Sequence, residues 1–121
     1  MSGEIVASLS VQLRNGLIID EMKPAKITVD QTTAKRWEAI PTVGTSESTA
    51  VIVGITTPGL CYIRCLHATN YCEVGTTTGD YPIKLDGQGL PAIIPLNATK
   101  TTLYLKASGA STDVEIKVWA K

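Results

Sequence analysis

The chain has no phenylalanine, a single histidine, three cysteines, two tryptophans and four tyrosines in 121 residues. Each scarcity excludes something. An odd number of cysteines cannot complete a disulfide framework, so free thiols in a reducing compartment are the simpler reading. One histidine, two residues from a cysteine, offers no base-and-orienter pair, which argues against a Cys–His enzyme. Few aromatics make a poor stacking platform for carbohydrate. Lysine and arginine form no run, and eleven basic residues balance eleven acidic ones; a phosphate-binding face needs a basic excess, so nucleic acid is not an expected partner. No stretch of about 18 apolar residues exists to span a membrane. The opening "MSGEIVASLSVQLRNG" carries Glu4 and lacks the apolar run of a signal peptide. The expectation is a protein made and kept in a cytoplasm-like compartment.

What is there points to a folded domain. Hydrophobic residues make up 44% and charged residues 18%, a globular composition at the usual size of one domain. Zero net charge removes long-range repulsion between copies and so tolerates self-association.

Apolar and polar residues alternate at the strand period from the start: in "EIVASLSVQL", Ile5, Ala7, Leu9, Val11 and Leu13 share one side. Asn15-Gly16 then fits a type I′ hairpin turn leading into "LIID". Short β-rich runs follow: "AKITVD", "RWEAIPTV", "TAVIVGI", "LCYIRCLHA", "YCEVG", "YPIKL", "LPAIIPL", "TLYLKA" and "DVEIKVWA". Turn-forming clusters such as "GTSES", "TTPG", "GTTTGD", "DGQG", "NATK" and "SGAST" separate them. Only "QTTAKRWEAI" admits a short turn of helix, and its threonines and Trp37 favour strand. Pro82, Pro91 and Pro95 mark sheet rims, where a missing N–H is tolerated.

All three cysteines and the histidine lie in "TTPGLCYIRCLHATNYCEVG". As a strand, "LCYIRCLHA" sets Cys61, Ile63, Cys65 and His67 on one side. Cys65, His67 and Cys72 together would be a candidate metal set, but no close-spaced ligand pairs support it. Both sides are rich in apolar residues, which predicts a strand buried on both faces with the cysteines as small hydrophobes. "GQGLPA" lacks the following helix that a phosphate loop needs and reads as a turn. "NAT" at Asn97 reads as a loop, and Asp80 and Asp86 read as solvated turn residues without a dense acidic loop to hold calcium.

At "ITVDQTTA", "IPTVGTSESTAVIVGITTPG", "IRCLHATNYCEVG", "YPIKLDGQGLPAIIPL" and "LYLKASGASTDVEIKVWAK", the chain resembles a group of small all-β structural proteins of tailed bacteriophages. The shared pattern is a TPG turn, a strand ending in R-x-L-x-A-T-N-Y, a VG turn, a P-x-K-L-x-x-G run and a closing LY-x-K-A. The resemblance covers residues 26–121 and implies a component of the virion. Members of such virions serve as capsid decoration (cement) proteins or as tail and fibre parts. In that pattern the positions of Cys65 and His67 commonly hold Asn and Asp, and those of Cys61 and Cys72 hold aliphatic residues, so the resemblance implies no metal or cofactor there.

Together these readings predict a single all-β domain over 1–121, an antiparallel β-sandwich of jelly-roll type with roughly eight to ten strands. Residues 1–20 form an N-terminal strand and hairpin used between subunits, with Ile5, Ala7, Leu9, Val11 and Leu13 as interface residues. An immunoglobulin-like sandwich would want paired cysteines around a tryptophan. The expected function is binding, not catalysis: a cement protein on the capsid exterior, made in the host bacterial cytoplasm, joining the phage major capsid protein and its own copies as a homotrimer. The alternative is a tail or fibre module that binds a host-surface ligand.

Overall fold

A computed structural model describes residues 3–15, 18–31, 35–87, 89–97 and 99–121, with side chains from Lys35 onward. The described residues form eleven strands and no helix: β1 (Gly3–Asn15), β2 (Ile18–Gln31), β3 (Arg36–Ala39), β4 (Thr42–Val43), β5 (Ser48–Val51), β6 (Pro58–Cys65), β7 (Cys72–Gly75), β8 (Ile83–Leu85), β9 (Ala92–Pro95), β10 (Thr102–Ala107) and β11 (Thr112–Ala120). Every strand pair is antiparallel.

Two sheets make the body. One runs β3-β11-β6-β9, with β4 also on β11; the other runs β5-β10-β7-β8. They pack as a β-sandwich around one core. Alternation decides which residues enter it: along β11, Val114, Ile116, Val118 and Ala120 are buried between more exposed neighbours. The facing sheet contributes Val74, Leu103 and Leu105, and Trp37 and Ile94 pack against its margin. Each fully buried Val, Leu or Ile contributes about 1.5–3 kcal/mol of transfer free energy.

Prolines punctuate the sheets as their missing N–H requires. β3 and β4 are one strand interrupted at Pro41. They pair with β11 on the same side and in the same register, and the Pro41 carbonyl still accepts the Val114 N–H at 3.0 Å. Pro95 closes the edge strand β9, Pro91 precedes it, and Pro82 precedes the edge strand β8, so the three rim prolines lie where the sequence puts them. The strand count exceeds the expected eight to ten because Pro41 divides one anticipated run into two strands.

That segment is a third sheet, a two-stranded ribbon of β1 and β2. Asn15 is the last residue of β1, opposite Ile18; Gly16, the other expected turn residue, lies outside the described residues. "LIID" and "AKITVD" are not separate strands: β2 runs through both and carries Lys23 and Pro24 across a register shift between Leu9 and Val11. A bulge is a place where a strand tolerates proline. The short helical turn admitted for "QTTAKRWEAI" is replaced over Arg36–Ala39 by β3, because those residues gain a ladder with β11; Thr32, Thr33 and Ala34 lie outside the described residues.

Candidate functional site

The cysteine stretch spans both sheets. β6 lies between β11 and β9, the chain turns over residues 66–71, and β7 returns in the facing sheet between β10 and β8. Cys61 and Cys65 enter the core with Ile63, and Cys72 joins them from the other side; all three thiols are free and completely buried. Cys65 Sγ donates to the Asn70 carbonyl at 3.3 Å. Burial pushes the Cys61 thiol from 9.0 up to about 12. The Cys72 thiol is raised as well, first by burial and then by the charge and hydrogen bond of Cys65 beside it. Cys61 and Cys72 therefore remain protonated at neutral pH and are poor nucleophiles and poor ligands.

Two expectations for this stretch are corrected. The strand ends at Cys65, so His67 does not continue its inward row. Instead His67 Nδ1 accepts the backbone N–H groups of Asn70 at 2.9 Å and Thr69 at 3.1 Å, and organises the turn between the sheets. With that nitrogen accepting, the neutral ring carries its proton on Nε2. Nor is β6 buried on both faces along its whole length: Leu60 of the outward row is buried, but Tyr62 and Arg64 are half-exposed, Leu66 beyond the strand is 42% exposed, and Arg64 Nε pairs with Glu115 at 3.0 Å. The second sheet packs on the inner face, so Tyr62 and Arg64 on the outer one stay in partial contact with water. Among the described residues no three His, Cys, Asp or Glu side chains converge as a metal set.

The remaining candidates are turn builders. Asp80 closes a tight bridge with Thr77, and its carbonyl lies where a side chain on Gly75 would go. Asp86 makes an exposed pair with Lys84 at 3.5 Å. Asn97 Oδ1 accepts from the Thr99 N–H at 3.0 Å and hydroxyl at 2.9 Å, an Asx-type turn. In "GQGLPA", Gly89 takes φ +73°, a turn conformation that favours glycine; Gln88 lies outside the described residues.

One polar junction was not legible in the sequence. Glu47, in the turn after β4, accepts from Tyr81 Oη at 2.6 Å and Gly79 N–H at 2.7 Å through Oε1, and from Thr78 Oγ1 at 2.7 Å through Oε2. These three donors, Tyr81 first, hold the Glu47 carboxyl below the usual carboxylate range, and the same bond to Glu47 raises the Tyr81 phenol. The junction ties two loops more than thirty residues apart. Its exposure suits a loop clamp.

Concavity appears where the edge strands β8 and β9 meet. A cleft of about 290 Å³ lies there, walled by Ile83, Ile94, Pro95 and Leu103, with Asn97 and Lys100 also lining it. It can take an apolar side chain of another molecule. The five expected interface residues all fall on β1, and the register supplies what was missed: Ile5, Ala7, Leu9 and Val11 lie opposite Val29, Ile27, Ala25 and Met22, and Leu13 opposite Asp20. The alternation of Ala25, Ile27 and Val29 was visible, but Pro24 disguised their strand as a new element.

Compared with family models, with characterised proteins and with solved structures, the chain matches none.

Proposed function

We propose that the protein is a structural component of a tailed-phage virion, a decoration protein that binds the outer surface of the capsid and stabilises the shell. The observation that carries this reading is the distribution of exposed apolar residues. Ile40 (59% exposed) sits at the break between β3 and β4, and Val51 (54%) and Val53 (69%) lie at the edge strand β5 and just after it. Leu90 (68%) and Ile93 lie before and on the edge strand β9. Small apolar contacts on sheet edges suit a body seated between neighbours, whose effect comes from many modest interfaces acting together.

The strand order supports a jelly-roll winding. With β3 and β4 counted as one strand, the eight sandwich strands read 1-8-3-6 in one sheet and 2-7-4-5 in the other, the interlocked arrangement of two Greek keys. The resemblance over residues 26–121 adds the virion, and the major capsid protein is the partner that follows from it.

The reading is tested by adding purified protein to particles that lack it and counting bound copies. Saturation at hundreds of copies per particle is the expected result. Saturation at a few dozen or fewer would transfer the protein to the tail or fibres, and no saturable binding would reject the virion surface altogether.

A further inference from the structure

We infer that copies of this chain associate through one face of the β1–β2 ribbon, each ribbon covering another's. The pleat and the register divide the ribbon into two rows of positions. In the row of Ile5, nine of ten positions in the five inner facing pairs are apolar, with Asp20 the exception, and the end pairs Gly3–Gln31 and Asn15–Ile18 add only Ile18; in the row of Glu4, eight of ten in five pairs are polar, with Val6 and Ile19 the exceptions. A two-stranded ribbon alone in water is marginally stable and needs a further layer against its apolar row.

The sandwich offers that row no comparably continuous face. Its inner faces fill one another, and its outer faces carry charged residues beside one short strip, Leu60, Tyr62, Ile93 and Trp119, in which Leu60 is already buried. Arg64, Glu115 and Lys117 lie on the outside of β6 and β11, and Glu73, Lys84 and Lys106 on the outside of β7, β8 and β10. The surface whose chemistry matches the apolar row is the same row on a second copy, and identical faces are self-complementary about a symmetry axis.

The area is sufficient. A fully buried Val, Leu, Ile or Met side chain covers about 60–120 Å² of apolar area. The seven Val, Leu, Ile and Met positions of the row give about 400–800 Å² per copy, so two facing ribbons bury about 800–1,700 Å², a range that reaches into the roughly 1,200–2,000 Å² of a stable interface. Zero net charge adds no repulsion. The inference stands apart from the shell reading, because it concerns the protein alone.

The test is the mass of the purified full chain by sedimentation over about two decades of concentration, for the wild type and for two variants that add the same charge to opposite rows. Leu9→Glu alters the apolar row, and Ser8→Glu alters the polar row opposite Lys26. Hydrogen exchange of the ribbon amides in the wild type is followed at the two ends of the concentration range.

The expected result is a multi-chain wild type, an unchanged Ser8→Glu variant, and self-association at least tenfold weaker in Leu9→Glu. Emission of Trp37 and Trp119 in β3 and β11 reports an intact sandwich in both variants. Ribbon protection in the wild type rises with concentration. A single-chain wild type throughout, equal dissociation of the two variants, or ribbon protection independent of concentration would each overturn the inference. Should Leu9→Glu fail to fold, the wild-type exchange measurement decides.

Discussion

Cys61, Cys65 and Cys72 act as apolar side chains, and their depth has a measurable alkaline signature. The Cys61 thiol is raised from 9.0 to about 12 by burial, so the folded state keeps a proton that the unfolded state loses. Its contribution to stability is complete below pH 9 and is lost as pH climbs from about 9 towards about 12. The slope is about 1.4 kcal/mol per pH unit. Urea unfolding of Cys61→Ala should show that alkaline loss flattened by about this slope; an unchanged limb would place the thiol in water. A thiol reagent should find no fast site at pH 8 in the native protein and three after denaturation. Glu47 titrates the opposite way. Its carboxyl lies below its ordinary 4.5 in the fold, so its contribution is present above pH 4.5 and is lost as pH falls through the lower folded value. Glu47→Gln should weaken this acid dependence, read as the pH of half-unfolding. His67 is a turn builder: His67→Ala, which strands the Thr69 and Asn70 N–H groups, should cost about 1–2 kcal/mol. His67→Asp, whose carboxylate can accept the same two, should cost less than about 0.5 kcal/mol. Equal losses would show that the ring matters for packing. The sequence displayed the cysteines as core residues through their apolar setting. It hid Glu47, because contacts between Glu47 and Tyr81 depend on how two loops meet and leave no local pattern.

At the scale of elements, period-two alternation carried nearly the whole sandwich: from "RWEAIPTV" to "DVEIKVWA", each run anticipated as a strand contains one. Alternation failed where a local irregularity interrupted it. Pro24 made β2 look like two pieces, and "QTTAKRWEAI" admitted a helical turn because four residues are too few to show a period. The burial of the second half of β6 was overestimated because a largely apolar side chain at a strand's outer face, such as Tyr62, is indistinguishable in sequence from one between two layers. Close approach is likewise invisible before folding. Gly75, the last residue of β7, has the Asp80 carbonyl oxygen 1.8 Å from where a Cβ would stand, whereas nothing lies within 4 Å of that point at Gly44. Gly75→Ala should therefore cost about 2–3 kcal/mol in chemical denaturation, and Gly44→Ala within about 0.5 kcal/mol of zero. Comparable losses at both would mean that backbone freedom, and not the Asp80 contact, sets the requirement at Gly75.

The molecule as a whole, with zero net charge, combines a two-sheet body with apolar residues on its edges and a ribbon with one apolar row. The proposed role follows from that combination: the body sits between neighbours on a shell, and the ribbon joins copies. A ligand that binds only the intact shell raises its stability by mass action, by about 2.7 kcal/mol per site at a hundredfold excess over the dissociation constant. The most direct measurement is the temperature at which particles lacking the protein release their DNA, read with an intercalating dye as purified protein is added. A saturable rise in that temperature is the expected result, and a release temperature unchanged at every concentration would contradict the proposed role.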